Sequence, residues 1–224
     1  MHHSLLKHGS KIIPSFDDTD ESCPNPIRIF VPLCGKTIDM AFLANHKSIS
    51  EIVGIDGIRK ALDDFSADHE DLKMANVENQ GDGYERIHGN SIRLLKGDFF
   101  GLDDIKTCGR FDAVWDRASI VAIDPSLRES YVTTLRRLIK PGGSLLVSTL
   151  ERRAGTEEGK NAGPPFSVPE SEIRRLYENQ EWVESVSLLE EIDEFEVYPD
   201  QKPRYVSQGV TSFFELVFEI KTKA

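Results

Sequence analysis

The stretch Arg28–Asp56, RIFVPLCGKTIDMAFLANHKSISEIVGID, decides the fold. RIFVPL is a short apolar run of the kind that forms a buried strand, and in GKTIDMAFLANH the residues Ile38, Ala41 and Phe42 recur at helical spacing. SEIVGID is a second apolar run, and GIRKALDDF follows it with Ile58, Ala61, Leu62 and Phe65 on one helical face. Strand, turn, helix, strand, helix is the start of a doubly wound α/β sheet.

The alternation continues downstream. SIRLLKGD and RFDAVWD read as strands three and four. PSLRESYVTTLRRLIK reads as a helix with apolar positions 127, 131, 135 and 138, opened by Pro125 and stopped by Pro141, Gly142 and Gly143. SLLVSTL is strand five, ESEIRRLYENQ a further helix, and WVESVSLLEE and TSFFELVFEI are two more strands, the last with Phe214, Leu216, Phe218 and Ile220 on one face. Residues 74–90, with Gly81, Gly83 and Gly89, interrupt the rhythm as an inserted loop or hairpin. Residues 14–27 combine three prolines with four acids and read as an exposed connector. Two segments are expected: an N-terminal extension over 1–27 and a single domain over 28–224.

Composition bounds the function. A chain of 224 residues with 39% hydrophobic residues and 12 Phe fills a sizeable core, which excludes disorder as the main state. A net charge of −11 repels polyphosphates and anionic membranes, so no nucleic-acid partner is expected. No apolar run is long enough for a membrane span or a secretory signal, and a cytoplasmic protein is expected. Cys23, Cys34 and Cys108 fit neither a disulfide framework nor a zinc site and read as reduced thiols. His2, His3 and His8 sit where a tag remnant or a frayed helix has the same appearance. No His/Cys/Asp cluster has coordination spacing, so no metal is expected.

In an open parallel sheet, ligands bind beyond the carboxyl ends of the strands. After strand one, Cys34-Gly35-Lys36-Thr37 imitates a phosphate loop, but that motif needs a glycine where Phe30 stands. The dinucleotide fingerprint needs three spaced glycines, and this turn has one. After strand two stands Asp56, 21 residues beyond Gly35, where a carboxylate can accept from two ribose hydroxyls or, equally, cap the next helix. After strand three, Gly97-Asp98-Phe99-Phe100 offers an acid to an exocyclic amine and a ring to a purine; a turn acid followed by a core aromatic reads the same way. After strand four, Asp116-Arg117 is either a structural ion pair or a guanidinium facing an anionic or sulfur-bearing substrate. A nucleoside site without a phosphate cradle points to S-adenosylmethionine rather than NAD or ATP.

The strings IFVPLCGKTIDM from Ile29, VGID from Val53, FDAVWDRASIVAIDP from Phe111 and GPPFSVP from Gly163 resemble, in order and spacing, the thiopurine S-methyltransferase family. The resemblance runs from about residue 28 to the C-terminus. It implies the class I methyltransferase fold, α/β and Rossmann-like, with a mostly parallel seven-stranded sheet ending in an antiparallel hairpin, and S-adenosylmethionine as methyl donor.

It also implies roles. Leu33 resembles the residue whose backbone meets the methionine part of the donor, Asp56 the acid for the ribose hydroxyls, and Asp98 and Phe99 the surroundings of the adenine. Gly35 and Asp116 join this donor-binding set. Arg117 matches an arginine close to the donor and acceptor sulfurs and is the expected catalytic residue. Pro164, Pro165 and Phe166 resemble a segment near the acceptor pocket, and Arg204 a second basic residue there.

The family typically begins with a longer Trp-rich segment, including a Phe-His pair, that folds over the donor. His3-Ser4-Leu5-Leu6-Lys7 resembles the stretch just after it, so the chain is expected to start inside this lid, which puts tight donor binding and water exclusion in question. The expected activity is S-methylation of a small thiol, aromatic or heterocyclic, by a monomer. Methylation of halide, sulfide, selenium or tellurium species on the same fold is an alternative, as is donor binding without transfer.

Overall fold

In the computed structural model, the residues described are 1–13, 16, 25–77, 80–103, 107–155 and 163–224. Nine strands form one sheet: β1 (Ile27–Val31), β2 (Ile49–Asp56), β3 (Ala75–Val77), β4 (Glu85–His88), β5 (Ile92–Lys96), β6 (Phe111–Arg117), β7 (Ile139–Ala154), β8 (Val183–Asp193) and β9 (Val210–Thr222). Their order is β3-β4-β5-β2-β1-β6-β7-β9-β8. β5, β2, β1, β6 and β7 are parallel. β9 runs antiparallel between β7 and β8. These seven strands make the expected sheet with its antiparallel C-terminal hairpin.

The other two strands correct the strand count. They come from the segment read as an insertion: β4 returns along β5 through a turn at Gly89, and β3 adds to β4. A side chain at Gly89 would meet the Leu72 carbonyl at 2.6 Å, so the turn admits only glycine.

Alternate strand residues bury into two layers, as a sheet covered on both faces requires. On one face Ile29, Val31, Ala113, Trp115 and Val217 pack with α1 (His3–His8), α2 (Ile38–Ala44) and α3 (Arg59–Asp68) through Leu5, Met40, Leu43, Leu62 and Phe65. On the other, Phe30, Val114, Leu216, Phe218 and Ile220 pack with α4 (Arg128–Leu138) and α5 (Glu170–Tyr177) through Tyr131, Leu135, Ile173 and Tyr177. A fully buried side chain such as Phe30 contributes roughly 1.5–3 kcal/mol. Two short helices, α6 (Glu194–Val197) and α7 (Lys202–Val206), link β8 to β9.

Three readings of the elements are corrected. Ile38 and Ile58 are 55% and 63% exposed rather than core. Ile38 is the first residue of α2 and Ile58 the N-cap of α3, and both are turned to solvent. Leu127 is exposed too, because residues 125–127 form a 3₁₀ turn capped by Asp124 and α4 starts only at Arg128. Pro141, Gly142 and Gly143 do follow the end of the helix, which comes at Leu138 rather than Lys140, but they fall within β7 as a bulge between the paired residues Ile139 and Ser144, with Gly142 at φ +73°, and a side chain at Gly143 would meet the Asp112 carbonyl at 2.8 Å.

Most of the connector 14–27, Cys23 included, lies outside the described residues, though Phe16 stacks on His46 at 5.6 Å. Cys34 and Cys108 are buried thiols.

Candidate active site

The chain leaves β1 for β2 on one side and later returns to place β6 on the other, so the order of strands reverses between β1 and β6. A cleft of about 350 Å³ opens at the carboxyl ends of these two strands. Leu33, Cys34, Lys36 and Thr37 line it from the β1 turn, and Trp115, Arg117 and Ala118 from β6. Leu33 and Ala118 take left-handed backbone angles, φ +41° and +59°. That conformation costs a residue with a side chain roughly 1–2 kcal/mol, and such positions persist where their surroundings fix them.

Here the fixing is visible. The Cys34 N–H donates to the Ile55 carbonyl at 2.8 Å, and the Ala118 N–H to the Ser148 carbonyl at 3.1 Å. The buried Ser119 hydroxyl donates to the Pro32 carbonyl at 2.7 Å, tying the two lips together. Thr37 caps α2, and the turn carries no phosphate cradle.

Asp56 ends β2 with both oxygens used locally: Oδ2 accepts from Gly35 N–H at 2.8 Å and Oδ1 from Ile58 N–H at 2.7 Å. It closes a turn and pins the cleft's glycine, whereas the cap position of α3 belongs to Ile58. Each carboxylate oxygen keeps a further lone pair for a ligand hydroxyl. Exposed Ile58 adds an apolar surface beside it, a feature that sequence reading assigned to the core.

Asp98 is exposed and accepts from Phe100 N–H at 3.0 Å. Phe99 is corrected: its ring is 3% exposed and stacks on Tyr131 at 4.7 Å, so it belongs to the core and offers no free face to a purine. Asp116 is corrected in the same way. It is fully buried and accepts from the Tyr131 hydroxyl at 2.7 Å and Ser119 N–H at 3.2 Å. Burial pushes its carboxyl up to about 6 despite those donors.

Arg117 ends β6 on the opposite face and makes no hydrogen bond or ion pair among the described residues. The carboxylates expected to pair with it are engaged elsewhere, Asp116 as above and Asp124 by Ser126. The ion-pair alternative is therefore removed.

The GPPF segment abuts the site without lining it. Phe166 N–H donates to the Val121 carbonyl at 2.6 Å, against the turn that follows Arg117. The Phe166 ring faces a separate cleft of about 450 Å³, with Pro125, Arg128 and Glu172. Pro164 is exposed, and neither it nor Pro165 lines the Arg117 cleft. Arg204 is also outside that cleft, on α7, 5.9 Å over the Tyr205 ring.

Sequence reading missed a polar cluster on the Trp115 face. Buried Asp39 accepts from Trp115 Nε1–H at 3.1 Å and from His2 N–H at 2.7 Å. Glu215, 2% exposed, accepts from the Ser4 and Ser148 hydroxyls at 2.9 and 2.5 Å, with His3 Nε2 at 3.2 Å. The N-terminal histidines are thus part of a packed helix rather than a frayed end. His2, His3 and Glu215 hold potential ligand atoms within 4.8 Å of one another, a grouping that spacing along the chain could not reveal. Hydrogen bonding accounts for it, since Glu215 Oε1 already takes two hydroxyls. Burial and Arg117 lower the His2 imidazole, whereas Glu194 is pushed up to about 7 by burial and by Glu215, against the pull of Arg117. The one signal in the sequence was Glu215 itself, an acid inside the apolar run of β9.

A doubly wound sheet in this order, with a cleft at its reversal point that lacks a phosphate cradle, is that of a class I methyltransferase. The thiopurine S-methyltransferase (TPMT) profile matches residues 6–223, and the chain belongs to that family of S-adenosylmethionine-dependent methyltransferases. It is 30% identical over 220 residues to the thiopurine S-methyltransferase of Vibrio atlanticus, covering 98% of this chain and 88% of that one. It is 33% identical over 204 residues to that of Pseudomonas fluorescens, covering 90% and 85%. In fold it resembles a Burkholderia thailandensis 1,6-didemethyltoxoflavin-N1-methyltransferase solved with S-adenosylhomocysteine, at TM-score 0.54 and 13% identity over 99% and 76% of the chains. Asp56, Ile58 and Asp98 are not among the residues lining the cleft; Asp56 is joined to its β1 turn through Gly35 N–H and keeps spare lone pairs of the kind a donor's hydroxyls require.

Proposed function

We propose that the protein methylates the sulfur of a small thiol, aromatic or heterocyclic as in a thiopurine. The observation that carries this reading is the Arg117 guanidinium in the cleft wall, unpaired among the described residues, because a planar cation with free donors suits a thiolate. S-adenosylmethionine, when bound, supplies an electrophilic methyl group on a sulfonium. The chain's own residues bind, orient and exclude water. In this reading the Leu33 backbone and Gly35 meet the methionine end, Asp56 the ribose, and Asp98 with Ile58 the adenine. Arg117 holds the acceptor sulfur in line, and Pro164, Pro165, Phe166 and Arg204 form an outer rim that a larger acceptor reaches.

The unit over 28–224 is read as one catalytic domain, with residues 1–27 in part a cover. The docking of His2 on Asp39, at the start of α2, supports that cover. Among the described residues no helix is long and apolar enough to cross a membrane. A small-molecule acceptor, no nucleic acid and a cytoplasmic location complete the reading, supported by the acidic charge of the chain.

The test is transfer of labelled methyl groups from S-adenosylmethionine onto thiophenol and a thiopurine, with S-adenosylhomocysteine binding measured alongside. Labelled thioether is the expected product. Transfer only to iodide or hydrogen sulfide would assign a small-nucleophile methyltransferase, and binding without transfer a donor-binding protein.

A further inference from the structure

Arg117 stands between two residues that line the same cleft, Trp115 before it and Ala118 after it. Each of them is held by a route that ends on the N-terminal helix α1. The Trp115 indole Nε1–H donates to Asp39 Oδ2 at 3.1 Å. The other oxygen of Asp39 accepts from the backbone N–H of His2, the cap residue of α1, at 2.7 Å, and the His2 ring lies 6.2 Å from the indole. On the second route, Ala118 N–H donates to the Ser148 carbonyl at 3.1 Å, and Ser148 is also the β7 partner of Arg117 itself. The Ser148 hydroxyl donates to Glu215 Oε1 at 2.5 Å, and the same oxygen accepts from the Ser4 hydroxyl of α1 at 2.9 Å.

Asp39 and Glu215 are only 1% and 2% exposed, on the sheet face where Leu5, Met40, Trp115 and Val217 pack. A carboxylate withheld from water is costly unless donors surround it, and an apolar side chain would fill either position without that cost. What the acids add is direction. A satisfied buried network fixes the separation and angle of the groups it joins, as apolar packing alone does not. Here the groups joined are α1 on one side and the two neighbours of Arg117 on the other.

We propose that α1 is a brace for Arg117, with Asp39 and Glu215 as the positioning residues that transmit its docking to the cleft wall. This rests on the reading above in which Arg117 holds the acceptor sulfur. A cover excludes water, whereas this brace sets where the guanidinium stands when the acceptor sulfur and the methyl carbon come into line. A misplacement of about 1 Å can cost an oriented reaction about 100-fold, so the docking of a helix outside the cleft reaches the rate. Ser4, Asp39, Ser148 and Glu215 are not among the residues lining the cleft, so their effect on transfer runs through Arg117.

The test is a double-mutant cycle between Ser4→Ala and Arg117→Lys with thiophenol as acceptor. Ser4→Ala should lower kcat about fivefold or more in the wild-type background and by less than about twofold beside Arg117→Lys, with S-adenosylhomocysteine affinity unchanged in both. Glu215→Ala should act as Ser4→Ala does, and Glu215→Gln, whose amide oxygen can accept both hydroxyls, should restore much of the loss. Independently of activity, hydrogen exchange at the Ala118 amide should quicken in Ser4→Ala while that at Ala113, in the middle of β6, stays put. Equal losses in both backgrounds, or no loss in either, overturn the brace and leave S-methylation standing. Exchange that quickens alike at both amides, or at neither, does the same. A wild type that methylates no thiol overturns the S-methylation reading, and exchange at Ala118 then decides the brace by itself. If Glu215→Ala does not fold, Ser4→Ala carries the test.

Discussion

Arg117 is a cation that makes no hydrogen bond or ion pair among the described residues and lines a cleft, so its replacement should cost chemistry and not stability. Arg117→Lys keeps the charge and loses the planar fork. Turnover on aromatic thiols should fall about tenfold or more while the melting temperature and S-adenosylhomocysteine affinity stay put; lower stability with intact turnover would make the residue structural. Asp56 differs because its carboxylate already holds two backbone N–H groups. Asp56→Ala should weaken S-adenosylhomocysteine by about 1–3 kcal/mol in calorimetry, part through lost ribose contacts and part through a loosened Gly35 turn. Unchanged affinity in the folded variant removes Asp56 from the donor site. The position of both residues was legible in the sequence: each was expected to close a strand, and each does, at the end of the sheet where ligands of such folds bind. Asp116 was misread because it lies one residue earlier, and the two-residue period of a strand sends it to the opposite face.

Between elements, the Tyr131–Asp116 hydrogen bond joins α4 to β6 and carries a pH signature. Burial raises the Asp116 carboxyl to about 6 from an ordinary 3.8, so the folded state holds its proton longer than the unfolded chain does. Stability from this group is therefore fully present below about pH 4 and falls as pH rises to about 6 and beyond. The Tyr131 hydroxyl offsets part of that cost by donating to the ionised form. Tyr131→Phe should accordingly destabilise by about 1.5–3 kcal/mol at pH 7.5 and by less at pH 5, measured by urea unfolding at both. Equal losses would mean that Asp116 titrates no differently from an exposed acid. Strands and helices with continuous apolar runs were legible in the sequence, β1, β2, β5 and β6 among them. Their ends were not. Ile38 and Ile58 keep helical spacing yet face solvent, and Pro141-Gly142-Gly143 has the composition of a stop but forms a bulge at the start of β7, close to Asp112.

For the molecule as a whole, a ligand that binds only the native state must raise its melting point. S-adenosylhomocysteine at a hundredfold Kd should add about 2.7 kcal/mol. For a chain of this size that is about 5–11 °C by scanning calorimetry. No shift at saturating ligand would count against the cleft as the donor site. What no local reading of the sequence could give is the closure of the fold between distant parts, such as Ser4 on Glu215 across 211 residues. That closure has a temporal side. β9 is the last of the nine strands in chain order, yet it is inserted between β7 and β8 rather than added at an edge. On the ribosome, β8 therefore emerges with no neighbour and β7 with one side bare, and both await the same late segment. Translation at about 5–20 residues per second carries the chain from the end of β8 at Asp193 to the end of β9 at Thr222 in roughly 1.5–6 seconds. During this interval the nascent chain presents two open strand edges, the kind of surface that chaperones shield and that aggregation exploits. The protection of these two edges is completed only when β9 slots between them.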